Sequence, residues 1–551
     1  MWHPYGSMET HYSEARYYQL LRGELKVWNS FDPVQFDETI DWNMDPFGNQ
    51  TWGLYFNSLN WLYSLYWGYY HGKEDYTRMH DIVLDYCRYL ESKDVNEMAW
   101  FDHSTSDRLC FLSTLFSHPM FQAFPQESQE LMIKVTFDHI SKIRDFYDSK
   151  FWFNSNHGVF HALAILNIAQ ITPFSKSDYG LEPFGLIYLE TSLRKIISIS
   201  DAYTLEQSVY YHQLALSLLK TIPHAIYEKT SFDGDLTRLI PDMIESNYWV
   251  TTSGAAMVSL GDTAYAANIP REYSPNHLPK EKFRTFPDCG FSIFKSRTDE
   301  NRYDHVSFLH QHHRAPHGHF DALSITIAHN NIPFVVDSGG PYKYGDPFRF
   351  TYFMSNRAHN NIVLNNKVHQ AGAEGYEYAT PCEGVHQISS SHLGYDPTKI
   401  SRELFIFENR GVLVIDKIDG LTAPTDVQSI WHFAPEAIAT LKNGTVSIEN
   451  SGLEMDLHSS LSEQLNHSIV EGVEGKSPQG WVTKGNGLRS PTPTLVSSMK
   501  AKEGVVMGWF FSFNKQNNFT LDESAFTISH LGKNLIVSFG KCSEPSETVF
   551  N

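Results

Sequence analysis

Apolar side chains recur at helical spacing through the first 250 residues. From Trp52 they fall at Tyr55, Phe56, Leu59, Leu62 and Tyr66, the i, i+3, i+4, i+7 stripe of a buried helix face. Comparable stripes run through 78–91, 107–117, 129–144, 159–171, 185–199 and 205–221. Breakers and caps separate them: Asn156-His157-Gly158, Pro173, Pro183, Pro223 and Asp233-Gly234. With a mean helix of about 11–12 residues, this predicts roughly a dozen helices in antiparallel pairs.

After about residue 270 the period becomes two. Leu323, Ile325 and Ile327 alternate with Ser324, Thr326 and Ala328, the pattern of a half-buried strand. Residues 404–418 read as a hairpin, LFIFE and VLVID around an Asn409-Arg410-Gly411 turn. Further turns fall at Asn443-Gly444, Asn450-Ser451-Gly452 and Gly475-Lys476, and VVMGWFFSF and NLIVSFG continue the strand character. Regularly spaced strands with turn signals predict a large antiparallel β-sandwich. The boundary is expected within the Asp-, Asn- and Pro-rich stretch 262–285, giving an all-α domain 1–270 and an all-β domain 271–551.

Composition narrows the function. The 551 residues are 41% hydrophobic and 19% charged, enough apolar material for large cores and too much for a disordered chain. The formal charge of −20 argues against broad phosphate neutralisation, so no nucleic-acid partner is expected. Cys87, Cys110, Cys289, Cys382 and Cys542 are scattered and imply no disulfide framework. No apolar run is long enough to span a membrane. The N-terminus lacks a signal-peptide core, so the sequence as it stands reads as cytoplasmic. Gly6-Ser7-Met8 leaves room for a trimmed leader, which would make the protein periplasmic or secreted. The 27 His are a pointed surplus, and 37 Phe, 29 Tyr and 12 Trp supply both core and flat faces for sugar rings.

Three stretches carry candidate chemistry. The richest is His310-Gln-His312-His313-Arg-Ala-Pro-His317-Gly-His319-Phe-Asp321. If 317–321 is extended, His317, His319 and Asp321 share a face; such groups either reach a metal or are hydrogen-bonded imidazoles on a sheet surface. Asp337 and His359 follow downstream, and a His/Asp/His set with an open position is a common zinc arrangement. The second stretch, Asn154-Ser155-Asn156-His157-Gly158, is either a helix cap or an anion clamp. The third, Glu206-Gln-Ser208-Val-Tyr210-Tyr211-His212, lies on a helix, where a buried tyrosine is usually core.

Taken together, Asn156-His157-Gly158, Glu206-x-Ser208-x-x-Tyr211-His212, His317-Gly318-His319-x-Asp321, Asp337-Ser338-Gly339 and Arg357-Ala358-His359-Asn360 resemble the heparinase II/III superfamily of polysaccharide lyases, with its related alginate and other uronate lyases. The resemblance covers roughly residues 30–440, in order. It implies an incomplete (α/α) toroid of helical hairpins followed by a large antiparallel β-sandwich. It further implies Tyr211 as general acid, in some members also base, His317 as the sheet-borne catalytic histidine, and Asn156 and His157 as the pair that neutralises the substrate carboxylate. His319, Asp337 and His359 match three ligands of a structural zinc. Tyr344, Arg349, Tyr352 and Arg357 lie in the segment that lines the groove, and Trp100, Asp102, His103 and Arg108 where the toroid adds substrate contacts. The departures are Gln207 where a glycine is common, and Gly340-Pro341 crowding the tyrosine segment.

The expected activity is β-elimination on a uronic-acid-containing polysaccharide or oligosaccharide, giving unsaturated products. An acidic chain with few basic clusters leans towards a non-sulfated or lightly sulfated polymer. The alternatives are a glycoside hydrolase with Asp102 and Glu206 as its carboxylates, a hydrolase with zinc-activated water, or a non-catalytic polysaccharide-binding protein.

Overall fold

The computed structural model describes residues 14–543 apart from 30, 36–38, 232, 253–254, 276–278, 311–314, 370–371, 486, 514–518, 522–525, 531–532 and 539–540. His312 and His313 therefore lie outside the described residues. Contacts divide the chain into two compact units, 1–199 with 214–241, and 200–213 with 242–551. The change of period near 270 marks where the large sheets begin, not where contacts divide. The described residues of 242–270 hold no regular strand, yet Trp249, Val250, Met257, Val258 and Leu260 share a core with Phe286, Phe291 and Ile293 of the β-rich unit.

The helical unit has two layers. Asp102–Ser117 is buried on every side up to Phe116, and so is His157–Ile168 from Gly158 onward; these two helices pack together. The one-sided stripes expected over 107–117 and 159–171 are thus covered all round, as befits helices in the middle of a core. Thr77–Leu90 and Gln126–Ser149 bury one face each, through Met79, Val83, Tyr86 and Leu90 and through Met132, Val135, His139 and Ile143. They pack on each other, and Gln126–Ser149 also packs on both buried helices. This alternation of inner and outer helices is what paired helical hairpins produce. Among the described residues no helix is long and apolar enough to cross a membrane.

The second unit is antiparallel throughout its sheets. A five-stranded meander joins Phe283–Phe286, Phe291–Asp299, Arg302–Leu309, Ile325–His329 and Ile332–Val335. A four-stranded sheet orders Ile362–Leu364, Thr425–His432, Thr494–Ala501 and Asn466–Val470. An eight-stranded sheet runs Tyr376–Cys382, Val385–Tyr395, Thr398–Phe407, Gly411–Asp419, Val505–Ser512, Leu453–Ser459, Thr445–Asn450 and Ile438–Lys442. The predicted hairpin pairs Phe407 with Gly411 around Asn409 at φ 59°.

The eight-stranded sheet is covered on both faces. Leu404, Ile406, Val412 and Val414 join Phe308, Ile325, Ile327, Trp431 and Leu495 in one core. Their alternates Phe405, Phe407, Leu413 and Ile415 pack with Phe526, Ile528, Leu535 and Val537 in another. Period two sends successive residues to opposite faces, so the unbroken LFIF and VLVI runs belong to a strand buried twice. The unit is thus a sandwich with a third layer. Ile325–His329 departs similarly from the half-buried expectation: Thr326 and Ala328 are as covered as Ile325 and Ile327.

One buried cation fastens the loop that leads to the site. Lys295 is 5% exposed, and its ammonium donates to the carbonyls of Tyr248 (2.6 Å) and Thr251 (2.7 Å) while lying 4.2 Å from the Tyr248 ring. Desolvation lowers its pKa to about 7. Between that value and the ordinary one near 10.5 the unfolded chain holds a proton that the folded chain lacks, so this group makes stability rise with pH. Urea unfolding at pH 7 and pH 9 should show wild type gaining about 1–2 kcal/mol relative to Lys295→Met. Parallel pH dependences would contradict the assignment.

Candidate functional site

Residues 310–324, which connect two neighbouring strands of the five-stranded meander, supply the central histidines. The expected extended run at 317–321 is irregular, with a turn at His317, a bend at Phe320 and no strand assigned. What gathers His317 and His319 is Asp262, a carboxylate the sequence reading did not single out. Its Oδ2 takes His317 Nδ1 at 3.1 Å and its Oδ1 takes His319 Nε2 at 3.0 Å. Arg349, on a single π-turn at Arg349–Phe353, donates to both oxygens at 2.7 and 3.0 Å. The Tyr344 hydroxyl donates to Oδ2 at 3.2 Å. Asp262 is fully buried; burial alone would raise its carboxyl, but the bonds from His317 and His319 and the Arg349 charge hold it well below the ordinary range.

Backbone geometry makes this convergence possible. Gly261 has φ 52°, and a Cβ there would sit 2.2 Å from the Gln207 carbonyl oxygen and 2.5 Å from that of His317. Only glycine lets the Asp262 amide reach the His317 carbonyl at 2.9 Å. Gln207 itself stands at φ 56°, the conformation that a glycine would adopt without strain. Its side chain offsets the cost by accepting the Ala315 amide at 2.7 Å, tying the histidine segment in place.

Tyr211, on helix Val209–Thr221, stacks on the His317 imidazole with ring centres 3.3 Å apart and planes 10° apart. Its hydroxyl is 2.8 Å from that of Tyr344. Since Tyr344 donates to Asp262, its oxygen is left to accept from Tyr211, giving a relay Tyr211–Tyr344–Asp262. Burial first, then the Asp262 charge, raise the Tyr211 pKa well above 10. Asp262 occupies His317 Nδ1, and Glu206 Oε1 lies 3.6 Å from Nε2, beyond hydrogen-bond reach. Buried Nε2 has no hydrogen-bond partner among the described residues.

Next to this cluster, His319, Asp321 and His359 each place one ligand atom within 4.8 Å of the others. The carboxylate differs from the expected Asp337. The Gly339 amide holds Asp337 Oδ1 at 2.9 Å, and its Oδ2 meets His359 Nδ1 at 2.7 Å, so Asp337 backs the histidine from behind. The remaining nitrogens, His319 Nδ1 and His359 Nε2, are buried without a hydrogen-bond partner among the described residues. Two imidazoles, each braced by a carboxylate, beside a third carboxylate are a donor set that fits zinc.

In the helical unit, Asn156 is buried at the start of helix His157–Ile168. Asp102 is buried and bonds His157 Nδ1 at 2.5 Å, and His103 packs edge-on against the His157 ring at 4.0 Å. Other expected groove residues are turned inward. Arg108 is 1% exposed and donates to His139 Nε2, the Asn57 and Ala99 carbonyls and the Tyr86 hydroxyl, with Trp100 against its guanidinium. Four of the five guanidinium N–H donors are spent on these internal partners. Tyr352 is wholly buried between His432 and the Trp481 backbone, and half-buried Arg357 donates to Asn366, Gln428 and Gln479. All three hold the fold instead.

Residues 278–530 match the heparinase II/III-like C-terminal family. No curated protein matches the chain significantly in sequence. Among solved structures, a heparinase III superposes with TM-score 0.75 at 14% identity, covering 97% of this chain and 92% of that one. The heparan sulfate lyase HepC from Pedobacter heparinus gives 0.63 at 14%, covering 97% and 90%. At such identities these likenesses show the fold, a helical region followed by an antiparallel β-rich domain. Residues 278–530 thus form a heparinase II/III-like C-terminal domain, in a chain that shares the fold of the solved heparinase III along nearly its whole length.

Proposed function

We propose that the protein cleaves a uronic-acid-containing polysaccharide by β-elimination, with Tyr211 as general acid and His317 as base. The observation that carries this reading is the Tyr211 phenol stacked on the His317 imidazole, with Asp262 linked to both. Asp262 accepts the Nδ1 proton of His317, leaving the Nε2 lone pair to remove the proton beside the uronate carboxylate. The electron pair becomes the carbon–carbon double bond as the glycosidic carbon–oxygen bond breaks, and Tyr211 protonates the departing oxygen. Burial and the Asp262 charge keep that phenol protonated, which suits an acid and disfavours tyrosinate as base. Arg349, already paired with Asp262, leaves little positive charge to reverse this.

Asn156 and His157 would accept the charge building on the carboxylate, each such donor worth about 2.7–4 kcal/mol. A zinc ion would be held by His319, His359 and Asp321, with Asp337 behind His359, and would supply local positive charge and rigidity. The hydrolase alternative is weakened because Asp102 is held ionised: against burial, His157 and His161 lower its pKa far below the usual range, which unfits it as an acid. Arg108, Arg349 and Arg357 are occupied internally, which supports an unsulfated or lightly sulfated substrate over a densely sulfated one. The solved neighbours named heparinase III and heparan sulfate lyase favour a glycosaminoglycan.

The test is ultraviolet absorbance over time on heparosan, heparan sulfate, hyaluronan, chondroitin and alginate. Rising absorbance from the new double bond is expected on a lightly charged uronate polymer. New reducing ends without that absorbance would mean hydrolysis and remove the reading.

A further inference from the structure

His157 does not stand alone. It opens helix His157–Ile168, and His161 follows one turn later, so both imidazoles lie on one face. Both meet the same oxygen, Asp102 Oδ2, at 2.5 Å from His157 Nδ1 and 3.1 Å from His161 Nε2. Asp102 is the first residue of helix Asp102–Ser117, where the helix dipole also favours an anion. Behind His161, the Tyr188 hydroxyl meets Nδ1 at 2.7 Å.

The tautomers follow from these contacts. Burial lowers the His161 pKa and raises that of Tyr188, so a neutral imidazole faces a protonated phenol. Tyr188 donates to His161 Nδ1, which leaves the His161 proton on Nε2, pointed at Asp102. Asp102 then accepts from both histidines. The His157 ring is further clamped, stacked on Trp152 at 4.7 Å with planes 3° apart and met edge-on by His103. Its Nδ1 is thus committed inward, while the side chain keeps 18% exposure.

We propose that Asp102, backed by His161 and Tyr188, is the positioning residue that holds a proton on His157 Nδ1 and, by its negative charge, supports the doubly protonated ring whose Nε2–H donates to the substrate carboxylate. Asp102, expected from the sequence to touch substrate, acts instead through His157. The proposal rests on the lyase reading above. It predicts that the relay governs recognition of one chemical group, the carboxylate, and not saccharide binding in general.

Binding is measured by calorimetry in a Tyr211→Phe background, so that nothing is consumed. The probes are a hexasaccharide of alternating glucuronate and N-acetylglucosamine and its carboxyl-reduced counterpart. Asp102→Asn should weaken the glucuronate ligand about 10–30-fold and leave the reduced ligand unchanged. In a His157→Gln background it should add nothing. Tyr188→Phe, which removes only a hydroxyl, should shift the same ratio about threefold and serves if Asp102→Asn does not fold. Equal weakening of both ligands, or additive losses with His157→Gln, would overturn the proposal alone. Unimpaired glucuronate binding by His157→Gln would remove the carboxylate-neutralising role and the proposal with it. Independently of any ligand, nitrogen–proton correlation spectra of wild type should show His157 protonated at Nδ1; an unprotonated Nδ1 would overturn the relay.

Discussion

Tyr211→Phe should lower kcat about 10³–10⁴-fold on the polymer that wild type cleaves, with substrate affinity changed less than threefold. The substitution removes one oxygen and keeps the ring, so the stack on His317 survives. What is lost structurally is the bond to Tyr344, worth about 1 kcal/mol. What is lost chemically is the phenol hydroxyl stacked against that imidazole, and a positioned general acid contributes about 10²–10⁴-fold. Steady-state absorbance gives kcat, and calorimetry with the intact oligosaccharide gives affinity. Turnover within tenfold of wild type would take Tyr211 out of the mechanism.

Asp262→Ala is expected to damage stability and catalysis together. The Arg349 guanidinium would lie buried without its counter-charge, and breaking such a pair costs about 3–5 kcal/mol. His317 and His319 would each lose the carboxylate that orients them. Asp262→Asn separates the effects: an amide can accept one proton but keeps no charge and offers an N–H where an acceptor is needed. This variant should fold, lose at least 100-fold in kcat, and carry less zinc by elemental analysis, because His319 is no longer braced. A folded Asp262→Asn enzyme with full turnover and full zinc would show that Asp262 is only a fold residue.

Much of the fold could be read from spacing. The stripe from Met79 to Leu90 and the Phe407–Gly411 hairpin needed only periodicity and turn chemistry. The boundary was harder, since the stretch after helix Asp233–Ser246 has no period to betray which core it joins. LFIF was recognised as a strand, but its double burial depended on residues more than a hundred positions away. At the site, short motifs drew attention to Tyr211, His317, His319 and His157. Asp262 was hidden in Ser259-Leu260-Gly261-Asp262, a stretch that reads as connecting loop; only the steric demand at Gly261 marks it, and that demand comes from distant backbone. Arg108 and Tyr352 were misplaced for the opposite reason. A polar residue near a motif looks available, and nothing local reveals that carbonyls and ring nitrogens have already claimed it.

The third layer has a consequence for how the chain is made. The face formed by Phe405, Phe407, Leu413 and Ile415 is covered by strands about 110 residues further along. At roughly 5–20 residues per second of synthesis, that face waits about 6–20 seconds for its cover. During that interval a finished hairpin shows four large apolar side chains to water. A chaperone that shields apolar strands should therefore raise the yield of this unit far more than that of the helical one, whose contacts close between helices near in sequence.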